Sequence, residues 1–248
     1  MARETPTLSI VIPMKNEAAN VEALLGEIAA VGADLPPYEV IVVDDGSTDD
    51  TAGTVIRLAA ADPHLRLIRH PHSGGQSSAV HSGVLAARGT IVATLDGDGQ
   101  NPPAELPRLV APLLGDGSPW VGLVAGQRVR RQDTLSKRLA SRFANALRSW
   151  LLKDGTRDTG CGLKAFRRDA FLKLPYFDHM HRYLPALFKR DGWQVALVDV
   201  SHRPRIAGLS NYSNFHRALV GIHDLIGVAW LIRRRKKAHP EMAHPEAE

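Results

Sequence analysis

Thr90-Ile91-Val92-Ala93-Thr94-Leu95 runs directly into Asp96-Gly97-Asp98. The apolar, β-branched-rich run reads as a buried strand. Two carboxylates at its end, one residue apart, project from the C-terminal edge of a sheet, where open α/β sheets bind ligands. They repel each other unless a cation lies between them. Hard divalent ions, Mg²⁺ or Mn²⁺, take oxygen ligands and complete their shells with substrate phosphates. A solvated acidic turn is the plain alternative, because Asp and Gly are ordinary turn residues.

Two further runs decide between these readings. Tyr38-Glu39-Val40-Ile41-Val42-Val43 ends in Asp44-Asp45-Gly46-Ser47-Thr48-Asp49, and Leu8-Ser9-Ile10-Val11-Ile12 ends in Pro13-Met14-Lys15-Asn16-Glu17. Each run precedes a helical pattern. Right-handed crossovers then make the three strands parallel neighbours whose polar ends converge on one crevice. The predicted class is α/β, with a mostly parallel central sheet flanked by helices. Strands are expected near 8–12, 39–43, 65–69, 90–95, 120–125 and 194–199. Helical patterns lie near 17–31, 49–61, 76–87, 103–114, 134–152, 168–173, 181–190 and 214–235. Ser47 or Thr48 is expected to cap the second helix, and Gly89 to stop the third.

With 248 residues the chain fits one α/β domain with a small appendage. Its single cysteine, Cys161, excludes an internal disulfide and suits a reducing cytoplasm, as a structural thiol. The first seven residues are too polar and short for a secretory signal. The net charge of +5 is concentrated: Arg233-Arg234-Arg235-Lys236-Lys237 follows the apolar segment 218–232. That segment rises about 22 Å as a helix, short of the roughly 30 Å hydrocarbon core. It is expected to lie in a membrane interface with its basic end on anionic headgroups. The alternative is a C-terminal helix packed on the domain. The expected division is a catalytic domain over 1–212, an amphipathic polybasic helix over 213–237 and a disordered tail over 238–248. No feature points to nucleic acid, and homo-oligomerisation is left open.

Several other clusters bear on function. A glycine-rich turn, Ser73-Gly74-Gly75-Gln76, opens the third helix and either presents N–H groups to an anion or closes a tight loop. Arg128, Arg130 and Arg131 follow the fifth strand, with Lys137, Arg138, Ser141 and Arg142 beyond. Such cations fit a phosphate monoester, although Arg142 and Arg148 fit a solvated helix face equally. His70/His72 and His179/His181 lack the partners of a zinc site and read as surface or loop histidines.

The three strand-end motifs in order, Ile10-Val11-Ile12-Pro13 with Asn16-Glu17, Val42-Val43-Asp44-Asp45-Gly46-Ser47 and Asp96-Gly97-Asp98-Gly99-Gln100-Asn101, resemble the family 2 glycosyltransferases. The chain is most similar to the polyprenyl-phosphate branch, the dolichyl-phosphate mannose synthases and their bacterial relatives, from about residue 8 to 212. The resemblance implies a GT-A type nucleotide-sugar-binding fold. It implies Asp96, Asp98 and Gln100 as ligands to Mg²⁺ or Mn²⁺. It places Pro13, Asn16, Glu17, Asp44, Asp45, Gln76 and Asp96 around the donor nucleotide, and Arg128, Lys137, Arg138, Ser141 and Arg205 at the acceptor phosphate. Asp158 matches a position near the reacting centre, where it orients the acceptor site or positions a basic residue. Asn211 stands where the family often has lysine, and Arg203 is a candidate to compensate.

The implied activity is inverting transfer of a sugar from a nucleoside diphosphate, UDP in preference to GDP, onto a polyprenyl phosphate. It would take place peripherally on the cytoplasmic face of the inner membrane. A phosphate monoester, with a second pKa near about 6, attacks without a base to remove its proton, whereas a sugar hydroxyl needs one. The rivals are transfer to a saccharide or lipid hydroxyl, and a catalytically silent nucleotide-sugar-binding protein.

Overall fold

The computed structural model describes residues 5–115, 119–129, 148, 150–203, 214–236 and 238. Seven strands form one sheet: β1 (Leu8–Met14), β2 (Tyr38–Asp44), β3 (Leu65–Arg69), β4 (Ile91–Thr94), β5 (Val121–Arg128), β6 (Lys164–Arg167) and β7 (Gln194–Val200). Their order is β3-β2-β1-β4-β6-β5-β7. All are mutually parallel except β6, which is antiparallel to β4 and β5. The six expected strands are present. The seventh, β6, was not foreseen, and its reversal explains why: a short segment with charged ends carries no βαβ signature.

The helices bounded by described residues are α1 (Ala18–Ala30), α2 (Thr51–Ala59), α3 (Gln76–Ala86), α4 (Leu106–Val110), α5 (Arg168–Leu172), α6 (Leu184–Arg190) and α7 (Asn214–Arg233). Period-2 alternation along the strands feeds two cores. Ile10, Ile12, Val40 and Val42 face α1, α2 and α4 through Leu24, Ile28, Val55 and Leu106. Val11, Ile41, Val43 and Val92 face α3, α5 and α6 through Val80, Val84, Phe171 and Leu187. Gly83 lets α3 lie against β1, since a Cβ there would sit 2.3 Å from Val11 Cγ1.

Several local expectations change. The helix expected over 103–114 is α4 flanked by two 3₁₀ turns, Pro103–Glu105 and Ala111–Leu113, because prolines interrupt it. Neither Ser47 nor Thr48 caps α2. Their hydroxyls bond Asn16, and the Asp49 carboxylate instead accepts the Thr51 N–H. Gly89 does not stop α3, which ends at Ala86. Gly89 permits a close crossing, since a Cβ there would lie 2.8 Å from the Leu8 and Ser9 backbone.

Helix α7 packs one arc on the domain, as the alternative reading of the C-terminal segment expects. Val228 and Ala229 are buried against the domain, and the Leu231 carbonyl accepts from Arg190. The opposite arc exposes Ile222, Ile226 and Trp230 and continues into exposed Arg233, Arg234, Arg235 and Lys236. No helix among the described residues is long and apolar enough to cross a membrane. Lys237 and nearly all of the expected disordered tail lie outside the described residues.

Candidate active site

The chain runs β1 to β2 to β3 in one direction, then β4 joins β1 on its other side. The gap beyond the ends of β1 and β4 is a topological switch point, where open α/β sheets bind ligands. Asp96-Gly97-Asp98 leaves β4 at this place. Gly97 allows the close approach: a Cβ would lie 2.7 Å from Met14 Cγ and 3.1 Å from Pro13 O.

A cavity of about 220 Å³ opens here, walled by Pro13, Gln76, Asp96, Gln100, Arg128 and Lys164, with Gly160, Cys161, Gly162, His181 and Arg182 adding to the wall. Asp96 is gripped from two sides. Its Oδ1 accepts from Gln76 Nε2 at 2.7 Å, and its Oδ2 accepts from Asn101 Nδ2 at 3.1 Å. Burial raises its pKa and the neighbouring Asp98 raises it further, against the opposing pull of Lys164, Asn101 and Arg128. Asp98 is buried, and its Oδ1 accepts the Gln100 N–H at 3.1 Å. Arg203 clasps this loop from outside, bonding Gly99 O at 2.6 Å and Glu27 Oε2 at 2.7 Å. The position considered as compensation for Asn211 thus buttresses the acidic loop.

Among the described residues no group of three or more His, Cys, Asp or Glu side chains forms a cage for a metal ion. The donor set nonetheless fits Mg²⁺ or Mn²⁺. These ions are commonly held by one or two carboxylates and take their remaining oxygens from substrate phosphate and water. The mutual repulsion of Asp96 and Asp98 is what an intervening cation relieves.

The loops expected to surround the nucleoside are closed by bonds of their own. Asp45 is 4% exposed, and its carboxylate accepts from His70 Nδ1, Ser73 Oγ and the N–H groups of Gly74 and Gly75, all within 2.7–2.9 Å. Burial alone would raise its pKa, but these hydrogen bonds outweigh burial and hold it below the usual carboxylate range. The glycine N–H groups considered for a substrate anion are therefore occupied by Asp45. Asp44 is fully buried: Oδ1 accepts the Ser47 N–H at 3.0 Å, closing the turn, and Oδ2 faces Arg69. Asn16, with φ of 57°, accepts from Thr48 N–H and ties the β1 and β2 loops together. Glu17 accepts from Asn20 at 2.6 Å. A second concavity lies beside these loops, walled by Gly46, Ser47, Thr48, Arg69, His70 and His72.

On the opposite wall, Arg128 at the end of β5 meets Asp158 in a two-point ion pair, Nε to Oδ2 at 2.5 Å and Nη2 to Oδ1 at 2.9 Å. Those hydrogen bonds raise the Arg128 pKa beyond its ordinary value. Asp158 is held in turn by Gln127 Oε1, which accepts the Arg157 and Asp158 N–H groups at 2.9 and 3.0 Å. Asp158 thus fixes the orientation of the Arg128 guanidinium. A guanidinium has five N–H donors, and the fork to Asp158 engages two of them. Lys137, Arg138, Ser141, Arg142, Arg205 and Asn211 lie outside the described residues. Arg148 is not solvated: it is buried, pairs with Asp154 at 2.5 Å and donates to Thr156 O.

Of the wall residues not assigned from the sequence, three stand nearest the charged groups. Lys164 begins β6 and is buried; burial lowers its pKa. A lysine inside Leu163-Lys164-Ala165-Phe166 was the available signal, since a cation in an apolar strand must be buried. His181, expected at a surface or loop, lines the cavity, and its Nδ1 lies 2.7 Å from Ser77 Oγ. Burial, with Lys164 and Arg182 nearby, keeps it well below its ordinary pKa. Gly162 is the third: a Cβ there would fall 2.2 to 2.5 Å from the carboxylate of Asp96.

Comparison with known proteins bears on the family and the fold. Residues 9–174 match the family model described as Glycosyl transferase family 2. Over 229 residues the chain is 34% identical to the undecaprenyl-phosphate 4-deoxy-4-formamido-L-arabinose transferase of Pectobacterium carotovorum subsp. carotovorum, covering 91% of this chain and 68% of that one. The Yersinia enterocolitica protein of that name is 35% identical over 209 residues, covering 83% and 62%. The chain thus spans about two thirds of the length of these relatives. Among solved structures, it resembles Mycobacterium tuberculosis glucosyl-3-phosphoglycerate synthase in complex with Mn²⁺, uridine diphosphate and glucosyl-3-phosphoglycerate. The TM-score is 0.67 at 22% identity, covering 94% and 81% of the two chains. A Pyrobaculum calidifontis mannosyltransferase in complex with GDP-Man and Mn²⁺ gives 0.63 at 22% identity, covering 95% and 66%. At these identities the likeness to solved structures establishes the fold.

Proposed function

Because the chain belongs to glycosyltransferase family 2 and has the GT-A type fold, we propose that it transfers a sugar, with inversion, from a nucleoside diphosphate to a polyprenyl phosphate. UDP is the nucleotide we favour over GDP. One observation carries this reading: Asp96, beside Asp98, shares a single cavity with the Asp158-oriented guanidinium of Arg128. One wall suits a cation beneath a diphosphate, and the other suits an incoming phosphate. The names of the relatives support the acceptor class.

Asp96 and Asp98, with Gln100 beside them, would hold Mg²⁺ or Mn²⁺, which when bound neutralises charge on the departing diphosphate. Pro13, Asn16, Glu17, Asp44 and Asp45 shape the loops that receive the nucleoside, the aspartates through the internal bonds described above. Gln76 fixes the rotamer of Asp96. Arg128 donates to the acceptor phosphate, and Lys137, Arg138, Ser141 and Arg205 are proposed to share that task. A phosphate oxygen forms the new bond to the anomeric carbon as the bond to the diphosphate breaks. The acceptor is already mostly dianionic at neutral pH, so no proton need leave it. Asp158, bound to Arg128 through both oxygens, is poorly placed to act as the base that a hydroxyl acceptor requires.

Helix α7 is proposed to bring this cavity to the lipid. Its exposed Ile222, Ile226 and Trp230 continue into exposed basic residues, which complements an anionic bilayer surface such as the cytoplasmic leaflet. The test of function is incubation of purified protein with short-chain polyprenyl phosphate, Mn²⁺ and a panel of UDP- and GDP-sugars. Lipid-linked sugar is expected with a UDP donor. Transfer to a saccharide hydroxyl, with none to the lipid phosphate, would overturn the acceptor assignment.

A further inference from the structure

Lys164 stands where the reversed strand begins, opposite Thr94 on β4 and Ala125 on β5. The residue is 4% exposed, and what remains open lines the cavity that Asp96 and Arg128 share. Its ammonium carries three N–H donors. The carbonyl of Cys161 accepts one of them. Among the described residues Nζ meets no other acceptor, and no carboxylate stands within ion-pairing distance. That is unusual for a buried cation, which ordinarily has a carboxylate partner to offset its lost hydration.

The nearby acids are otherwise engaged. Asp158 holds Arg128, and Asp96 is bonded to Gln76 and Asn101 while facing Asp98. Lys164, Arg128 and Arg182 therefore present three cationic side chains to a cavity in which, among the described residues, Asp96 is the one lining carboxylate. With that carboxylate directed to a metal, the space left between the cations suits an anion small enough to reach a buried ammonium. We infer that Lys164 is a direct contact to a substrate phosphate oxygen, forming with Arg128 a two-cation subsite. Which phosphate it meets, that of the acceptor or that of the departing diphosphate, rests on the glycosyl-transfer reading; the anion contact itself does not.

The test uses binding to the full chain by calorimetry, with two probes applied separately: farnesyl phosphate without nucleotide, and UDP with Mg²⁺ without lipid. Replacing Lys164 with methionine removes a charge-assisted hydrogen bond, so about tenfold to hundredfold weaker binding is expected for the probe it touches. Lys164→Arg, which keeps the charge, should recover part of the loss. Weakening confined to farnesyl phosphate places the contact at the acceptor, and weakening confined to UDP places it at the leaving group. Unchanged affinity for both probes in a Lys164→Met protein with the wild-type circular dichroism would overturn the inference, leaving Lys164 as a counter-charge to Asp96. Should that variant not fold, the ¹⁵N ammonium resonance of Lys164 is followed in the wild-type chain. Movement on saturation with either probe supports the contact, and a fixed resonance while other signals shift refutes it. Failure of the transfer reading shows separately, as wild-type protein that binds a probe but makes no lipid-linked sugar.

Discussion

Replacing Gly162 with alanine should disable the site while leaving most of the fold standing. The new Cβ would lie 2.2 Å from Asp96 Oδ2, 2.4 Å from Cγ and 2.5 Å from Oδ1, whereas ordinary contact begins at 3.4 Å. Asp96 must then retreat by about 1 Å. Its hydrogen bond from Gln76, now 2.7 Å, would stretch beyond useful length. Overpacking of this kind costs about 1–3 kcal/mol, and for a chain of this size the melting temperature should fall by several degrees. A misplacement of about 1 Å at a reacting centre lowers turnover by about 100-fold. Melting curves fix the folded fraction, and transfer to polyprenyl phosphate is then measured at saturating metal. Farnesyl phosphate affinity should change little, because the three atoms nearest the added methyl group all belong to Asp96. A folded Gly162→Ala protein with wild-type turnover would refute the placement of the reaction at Asp96.

Asp158→Ala removes both acceptors of the Arg128 fork and strands a half-enclosed cation; stability should drop by about 3 kcal/mol, and acceptor affinity should fall with it, as denaturant melts and lipid titration will show. Folding lowers the pKa of Asp45, Asp49 and Glu39 through the hydrogen bonds they accept. The stability they contribute is thus complete above the ordinary carboxylate range and is lost as pH falls through their folded values, so urea midpoints should decline on acidification below about pH 4, less steeply in Asp45→Asn. Chelation should abolish transfer, with Mn²⁺ or Mg²⁺ restoring it and farnesyl phosphate binding persisting in the chelated protein. Ile226→Glu with Trp230→Glu should release the protein from anionic vesicles in a flotation assay without altering its melting temperature, as both side chains are exposed.

The parallel half of the sheet was legible because its strands advertise themselves. The 8–12, 39–43 and 90–95 runs are apolar, β-branched and closed by polar turns, and all three lie where expected. The acidic pair was legible for the same reason, since strand direction fixes which edge receives it. What escaped were contacts between segments far apart in sequence. Asp45 reads as a turn residue, yet its carboxylate organises a loop 28 to 30 residues away. Arg148 reads as a charge on a helix face until Asp154 and a buried carbonyl are seen to enclose it. His181 looks like a loop histidine because nothing local reveals that Ser77, 104 positions earlier, lies beside it. Local pattern reports the periodicity of elements and is silent about which distant side chain completes a polar group.

The single reversed strand has an evolutionary consequence. Because β6 points opposite to its neighbours, the chain leaves β5 and re-enters β6 on the same rim of the sheet, so the excursion joining them starts and finishes beside the cavity that Arg128 and Lys164 line. Insertions, deletions or wholesale exchange within that one excursion can reshape what the enzyme accepts while every strand keeps its partner. Diversification of substrate preference in such a scaffold should therefore concentrate between Arg128 and Lys164, and chimaeras swapped at those two posts should fold.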